Sequence, residues 1–379
     1  MRKIKAKQLL AVAVCGLALA SCGGGGGGGG SSQTQTQISA NPIAMNIYAG
    51  SRILSSDSVN VPFNIPVIIV YINGQPVRLL FDTGASGVLV NQGTFPIPQS
   101  AYTSQTFYGQ FGDGTVFSGT VANVQVCLTS ASTDCINMPV AVNSNTSGST
   151  APFPTGSYIV GDFGMDCSEN TFATNNTFCP LYYLWQQNQY FNAYSLSFYP
   201  LSNTYYATPD FTTPIGSITL GSFSANNLMS YTTGNGRFPY VNANYPNSLT
   251  YRTIYDTGTP IIRMTNDVLS AEIPYFNIYT DGYNCSASNW IQGGYPISYS
   301  IPLANSSSSL TISFTTEPPA NMCASILSSV SANNPVIVKD DTFDIGSSIL
   351  EFMGLPEVIN HNFIWLLGSN GMVQYISIQ

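Results

Sequence analysis

The chain has little charge of either sign, and basic residues are especially scarce. Only 7% of its 379 residues are charged, and four of the ten lysines and arginines stand within the first seven positions. The remainder has six basic residues against eighteen acidic ones, a formal charge of −12. Such a surface repels phosphate backbones, so we expect no nucleic acid as a partner. It also gains little positive charge as its carboxylates are neutralised, which fits an acid-tolerant protein.

The usual ligands of metal ions are scarce too. His361 is the single histidine, and none of the eight cysteines forms a Cys-x-x-Cys pair. Structural zinc sites draw on these residue types at that spacing. We therefore expect no metal ion and no other cofactor.

The sequence also lacks an apolar run that would serve as a transmembrane helix. The run at residues 9–20 is too short for one, but basic residues precede it and it ends in Leu-Ala-Ser-Cys. This is the pattern of a secretory signal, and its ending resembles a bacterial lipoprotein signal. Cleavage there would remove residues 1–21 and leave Cys22 to carry the lipid. An ordinary signal peptide with an incidental cysteine is the alternative.

A tether follows the signal. Residues 23–30 are all glycine, and Ser, Gln and Thr continue to residue 37, so this stretch has no apolar surface to bury. We assign residues 22–40 to the lipidated cysteine and a flexible linker. The glycine after Cys22 resembles lipoproteins that are sent to the outer membrane. We predict an exported protein that meets the outer membrane only through its lipid anchor, on the periplasmic or the cell-surface side.

From residue 41 onward the composition favours strands over helices. Apolar and aromatic runs alternate with turn residues, and the chain has 23 tyrosines, 20 phenylalanines and 34 glycines. We predict an all-β fold with few short helices. A stretch of roughly 340 residues is ample for a large core and usually divides into two lobes or domains.

One short motif occurs twice, 174 residues apart. Asp82-Thr83-Gly84 and Asp256-Thr257-Gly258 each follow a run with the pattern of a strand. The separation is about half of the mature chain, as an internal duplication would give. Asn73-Gly74 between two apolar runs predicts a hairpin that leads to Asp82. Asp and Gly are also ordinary turn residues, so each motif alone is weak support for a site.

The two motifs together make the chain resemble the pepsin-like aspartic peptidases, a two-lobed family in which each lobe contributes one Asp-Thr-Gly. Phe111-Gly112-Asp113-Gly114-Thr115 is similar to the flap hairpin of that family. Ile159-Val160-Gly161 resembles the apolar-apolar-Gly segment beside the first aspartate, and Asp344-Ile345-Gly346 resembles its counterpart in the second lobe. The likeness covers the chain from about residue 60 to the end.

The resemblance implies a two-lobed fold with the lobes at residues 41–212 and 213–379. It implies that Asp82 and Asp256 share a proton and activate water to hydrolyse peptide bonds, without a metal or a covalent intermediate. The residues that support them would be Thr83, Gly84, Thr257, Gly258 and Thr259. We expect a monomeric endopeptidase with polypeptide substrates and a preference for apolar residues around the scissile bond.

Three positions depart from the family pattern. Phe111 stands in place of the flap tyrosine, Leu89 in place of a tryptophan, and Ala85 in place of a serine that steadies the first aspartate. Tyr108 would be the flap aromatic if the flap register differs, and a plain strand aromatic is its other interpretation. Without the serine hydroxyl, we expect a raised pKa at Asp82 and a less acidic optimum of activity.

Six cysteines remain after the signal and the lipidated position, and export favours disulfides. Fifteen connectivities are possible for six cysteines. Sequence proximity favours three pairs, which are Cys127 with Cys135, Cys167 with Cys179, and Cys285 with Cys323. The last pair also resembles a disulfide that the family often has in its second lobe.

Two other functions compete with that of a peptidase. A binding or adhesion module of the same fold would explain the altered flap, and a carboxylate-pair glycosidase also uses two acids. The intact acids argue against the first, and the matched loops argue against the second. We interpret Asp113, Asp162, Asp166 and Asp344 as loop or turn acids, and His361 as a surface or packed residue.

Overall fold

The computed structural model describes most of the chain beyond the predicted linker. The described residues are 40–54, 61–111, 115–167, 179–199, 209–231, 240–246, 248–259, 262–264, 296–315, 337–339, 350–354 and 361–379. All of them belong to one unit, Thr36–Gln379. The predicted signal, Cys22 and the linker up to residue 39 lie outside the described residues.

Strands dominate these residues, which contain one α-helix, α1 (Pro180–Gln187). The first ten strands are β1 (Ile43–Leu54), β2 (Val61–Ile72), β3 (Gln75–Asp82), β4 (Ser86–Asn91), β5 (Tyr102–Gln110), β6 (Val116–Cys127), β7 (Cys135–Asn143), β8 (Gly161–Met165), β9 (Ala193–Phe198) and β10 (Asp210–Gly221). The next ten are β11 (Leu228–Ser230), β12 (Val241–Asn244), β13 (Thr250–Asp256), β14 (Ile262–Met264), β15 (Pro296–Pro302), β16 (Ser309–Thr315), β17 (Ile337–Lys339), β18 (Leu350–Gly354), β19 (Phe363–Leu367) and β20 (Val373–Ile378). The all-β prediction is confirmed. Within the ranges given above, no helix is long and apolar enough to cross a membrane.

The strands form two sheets. A 13-stranded sheet has the order β11-β20-β19-β9-β10-β1-β2-β3-β8-β4-β7-β6-β5, and a seven-stranded sheet has the order β16-β15-β12-β13-β18-β14-β17. β19 pairs with β9 and β20 pairs with β19, so the last two strands return to the sheet that holds the first motif. The proposed boundary between residues 212 and 213 falls within β10, and the division into lobes stays a prediction.

The same four-strand arrangement occurs in both sheets. β3 is parallel to β8, β8 is antiparallel to β4, and β4 is parallel to β7. β13, β18, β14 and β17 repeat this order with the same directions. Asp82 and Asp256 are the last residues of the equivalent strands β3 and β13. The two motifs therefore occupy the same place in a repeated structural unit.

The predicted hairpin before the first motif is confirmed. Asn73 and Gly74 join β2 to β3 and both have positive φ, 50° and 78°. Two successive residues of that kind form the type I′ turn that suits the twist of a two-residue hairpin. The register that follows pairs Val67 with Leu80 and brings Asp82 to the end of β3.

The apolar residues form a main core and a smaller group that we call the minor cluster. The minor cluster consists of Ile65, Val67, Leu80, Leu89, Phe107, Phe117, Val121, Ala141, Phe153 and Ile159. It joins β3 and β4, on either side of the first motif, to β5 and β6. The main core lies on the other side of these strands and includes Phe81, Val88 and Phe163.

Two of the three predicted disulfides are present. Cys127 and Cys135 face each other across β6 and β7 and are bonded, and Cys167 is bonded to Cys179 before α1. The predicted bond between Cys285 and Cys323 lies outside the described residues. Helix α1 was not predicted; Pro180 begins it, as proline often does, and it buries Leu181 and Leu184.

Candidate active site

Asp82 and Asp256 come from equivalent strand ends and are both buried, each with 6% of its surface exposed. The strand beside each one presents a glycine: Gly164 is opposite Asp82, and Gly354 is opposite Asp256. A Cβ at Gly164 would lie 2.5 Å from the carbonyl oxygen of Ala85. Glycine is therefore required where β8 passes the first motif.

These registers correct the two segments that we predicted beside the aspartates. The glycine beside Asp82 is three residues later than in Ile159-Val160-Gly161, because β8 begins at Gly161. In the second half the position belongs to β18, which ends at Gly354. The predicted segment Asp344-Ile345-Gly346 lies outside the described residues. The segment beside Asp82 is Asp162-Phe163-Gly164. The sequence did not predict it, because Asp162 stands where the family pattern has an apolar residue.

The threonines of the motifs tie the two loops together through four buried hydrogen bonds. The Thr83 hydroxyl donates to the carbonyl oxygen of Tyr255 at 2.7 Å and accepts from the Thr257 N–H at 3.0 Å. The Thr257 hydroxyl donates to the carbonyl oxygen of Phe81 at 2.7 Å and accepts from the Thr83 N–H at 3.1 Å. Each loop thus satisfies buried backbone groups of the other, which holds the two motifs in one relative position.

The glycines of the motifs bring the two carboxyl groups together. A Cβ at Gly84 would lie 2.5 Å from Cγ of Asp256, and a Cβ at Gly258 would lie 2.3 Å from Oδ2 of Asp82. Each glycine also donates its N–H to the aspartate of its own motif, at 2.7 Å for Gly84 and 2.8 Å for Gly258. Any larger residue would displace the opposite carboxyl group.

The two halves of the site differ in the second hydrogen-bond donor to the aspartate. The N–H of Ala85 donates to Oδ1 of Asp82 at 3.1 Å, the same oxygen that Gly84 serves. In the second half the hydroxyl of Thr259 donates to Oδ2 of Asp256 at 2.5 Å. Asp256 therefore has a hydrogen-bond donor on each carboxylate oxygen from its own loop.

The surroundings of Asp82 favour its protonated form. Burial raises the pKa of Asp82 well above its ordinary value, and the negative charges of Asp256 and then Asp162 raise it further. The side-chain hydrogen bond with Asp256 acts in the same direction, while the Gly84 N–H lowers the pKa to a smaller extent. Two carboxyl groups this close cannot both ionise cheaply.

The predicted flap is a hairpin of β5 and β6, closed where the Phe111 N–H donates to the Thr115 carbonyl oxygen at 2.9 Å. The ring of Phe111 lies 4.7 Å from that of Phe117, and Phe111 packs against the minor cluster that includes Leu89. Tyr108 is 72% exposed and lies on the opposite side of β5 from buried Phe107. Phe111, not Tyr108, is thus the aromatic on the inner side, while Gly112, Asp113 and Gly114 lie outside the described residues.

Comparison with solved structures identifies the architecture. The crystal structure of an aspartic proteinase from Irpex lacteus is similar with a TM-score of 0.58, over 89% of this chain and 98% of that chain, at 16% sequence identity. The chain has a pepsin-like fold. No protein-family model and no curated protein sequence matches the chain.

Two further acids of this pepsin-like fold lie near Asp82 and Asp256. The prediction that both are loop or turn acids was wrong for one of them. Asp162 is not a loop residue; it lies within β8 and is fully buried. Asp166 does follow the strand in a loop, but it is also buried. The apolar setting of Asp162, between Gly161 and Phe163, was the signal that could have indicated burial. Asp113 and Asp344 lie outside the described residues.

Two tyrosines lie close to these acids. Burial raises the pKa of Tyr194 and Tyr231 well above the ordinary value, and the charge of Asp166 raises both further. His361 is half-buried, with its ring 6.2 Å from that of Phe363, as expected for a packed residue. Across the described ranges, no group of three or more His, Cys, Asp or Glu side chains could hold a metal ion.

Proposed function

We propose that the protein is an aspartic endopeptidase in which Asp82 and Asp256 activate a water molecule. One observation carries the proposal: two buried carboxyl groups from matched loops meet, each against the glycine of the other motif. The strand fold alone does not require two adjacent buried acids, and burying them without a purpose would be unfavourable.

The asymmetry of the site suggests a role for each acid. Asp82, whose pKa is raised, holds the shared proton, and Asp256, with donors on both of its oxygens, acts as the base. Asp256 removes a proton from water while the water oxygen attacks the peptide carbonyl carbon, and Asp82 donates its proton to the carbonyl oxygen. The tetrahedral product then collapses: Asp256 passes the proton that it took from water to the nitrogen, the carbon–nitrogen bond breaks, and one hydroxyl of the product returns a proton to Asp82.

The expected substrates are extended polypeptides with apolar residues beside the scissile bond. Support comes from Phe111 beside the turn of the flap hairpin, which packs against aromatic residues of the minor cluster. An apolar inner surface of this kind favours apolar side chains of a ligand.

The test of this function is cleavage of an unfolded protein substrate from pH 3 to pH 7, with and without the transition-state analogue pepstatin. We expect the parent protein to cleave, and Asp82→Asn and Asp256→Asn each to abolish cleavage. Asp210→Asn is the matched control, since it neutralises an aspartate at the start of β10, a strand that does not carry either motif. A folded parent that cleaves nothing at any of these pH values would refute the proposal and favour a binding module.

We also propose that lipidation of Cys22 anchors the enzyme to the outer membrane. The lipoprotein-like signal and the glycine-rich linker support this, since a lipid with a flexible tether leaves a folded unit free near the surface. Cys22→Ser should move the protein from the membrane fraction to the soluble fraction. Cys15→Ser, a cysteine within the apolar run of the signal, should leave it in the membrane fraction. Equal distribution of both variants would contradict the anchor.

A further inference from the structure

Asp162 occupies the centre of the three strands that carry the first motif. It is opposite Leu80 of the parallel strand β3 and opposite Leu89 of the antiparallel strand β4. Residues opposite one another in a sheet project from the same face. The fully buried carboxyl group of Asp162 therefore projects on the side of the minor cluster, to which both leucines belong.

Asp82 projects from the same face of the sheet. It lies two residues beyond Leu80 on β3, as Gly164 lies two residues beyond Asp162 on β8, and Asp82 is opposite Gly164. One strand across and two residues along place Asp162 and Asp82 about 8 Å apart. Charges separated by this distance inside a protein interact much more strongly than they would in water.

The repeated unit shows that the strand arrangement does not require an acid there. In the second half, Asp256 is opposite Gly354, and the residue two positions earlier on β18 is Phe352, opposite Ile254. Phe352 is therefore the equivalent of Asp162. A buried acid in place of an apolar residue destabilises a fold, so its presence in one half only points to a function.

We propose that Asp162 is a positioning residue of the catalytic pair, a third buried carboxyl group whose negative charge holds the shared proton on Asp82. This inference rests on the proposed function for its catalytic meaning, although its effect on the proton can be measured without turnover. The charge of Asp162 is one of the causes that raise the pKa of Asp82. Its consequence is an active, singly protonated pair at less acidic pH than two acids alone would give.

Other ionisable groups lie around Asp82 and Asp162 on the surrounding elements. They are Asp256 on β13, Asp166 after β8, Tyr194 on β9, Tyr231 after β11, and Arg78 on β3. The raised pKa of each tyrosine keeps it neutral at acidic pH. The Arg78 guanidinium lies over the ring of Phe211, 4.4 Å from its centre, on an exposed side chain where water screens its charge.

The experiment is a pH titration of the Asp82 carboxyl carbon by NMR in the purified protein with labelled aspartate. Asp82→Asn assigns the signal. Asp162→Asn keeps the size of the side chain and removes its charge, so we expect the Asp82 midpoint to fall by about one pH unit. Asp162→Leu should lower the Asp82 midpoint by a similar amount, since leucine is apolar like Phe352, the equivalent residue of the second half. The control is Asp166→Asn, which removes another buried acid four residues along and should leave the Asp82 midpoint in place.

Each outcome decides the inference. An Asp82 midpoint that is unchanged in both Asp162 variants would overturn it, and so would a fall of equal size in the Asp166 control. If both Asp162 variants unfold, Asp162 serves the fold rather than the proton, and the inference also fails. A lowered midpoint in a protein that cleaves nothing would uphold the role of Asp162 and refute the endopeptidase, so the two proposals fail separately.

Discussion

The four hydrogen bonds between the two motif loops give a specific prediction about stability. Thr83→Val removes one hydroxyl, so the carbonyl oxygen of Tyr255 and the N–H of Thr257 both lose a buried partner. Each unsatisfied buried backbone group costs about 1–3 kcal/mol, so we expect a loss of about 2–6 kcal/mol in the free energy of unfolding. That is a large share of the 5–15 kcal/mol typical of whole domains.

Symmetry makes the prediction more demanding. Thr257→Val likewise leaves the carbonyl oxygen of Phe81 and the N–H of Thr83 without a hydrogen-bond partner. Both threonines are fully buried. The two variants should therefore lose similar amounts of stability. The matched controls are Thr83→Ser and Thr257→Ser, which keep the hydroxyl, lose one methyl group, and should cost only about 1 kcal/mol each.

The assay is urea unfolding followed by tyrosine and tryptophan fluorescence, with all variants at one pH. A difference of less than about 1 kcal/mol between the valine and serine variants would refute the reasoning, because unsatisfied backbone groups alone should exceed that. A large loss in only one of the two valine variants would refute the equivalence of the two halves.

Three further predictions concern the carboxyl pair. Ala85→Ser supplies a hydroxyl donor beside Asp82, which should stabilise the ionised form and move the activity optimum to lower pH; an unchanged pH profile would reject this. The pKa of Asp82 is raised in the folded state, so the protonated carboxyl group of Asp82 stabilises the fold. This stabilisation is complete below about pH 4, and it declines by about 1.4 kcal/mol per pH unit as the pH rises towards the folded-state pKa. The stability difference between the parent and Asp82→Asn, measured by urea unfolding at several pH values, should follow this slope, and a constant difference would contradict the raised pKa. Gly84→Ala places a Cβ 2.5 Å from Cγ of Asp256, so it should abolish cleavage, whereas Gly93→Ala, at a surface turn with open space, should not.

The sequence was sufficient for the features that depend on local pattern. The Asn73-Gly74 turn, the strands that end in Asp82 and Asp256, and the two nearby cysteine pairs are all present in the structure. Each of these rests on a short stretch whose residue types have few other uses. Local pattern therefore predicted where each half of the site begins.

Features that depend on register between distant strands were beyond the sequence. The segment beside Asp82 was displaced by three residues, because Asp162 interrupts the apolar pattern by which such a segment is found. The burial of Asp162 was not predicted from the sequence either, since a lone acid beside glycines usually indicates a turn. Its burial depends on strands β3 and β4, which flank β8 on both sides although β8 lies far from both in the sequence.

The two departures from symmetry around the pair act in the same direction. The first half has Ala85 where the second half has Thr259, so Asp82 lacks the side-chain donor that Asp256 receives. The first half also has Asp162 where the second half has Phe352, so negative charge is added on the side of Asp82. A missing donor and an added like charge both favour the protonated form of a carboxyl group. Two identical halves would give their two acids equal affinity for a proton. In the mechanism that we propose, these two differences place the shared proton on Asp82.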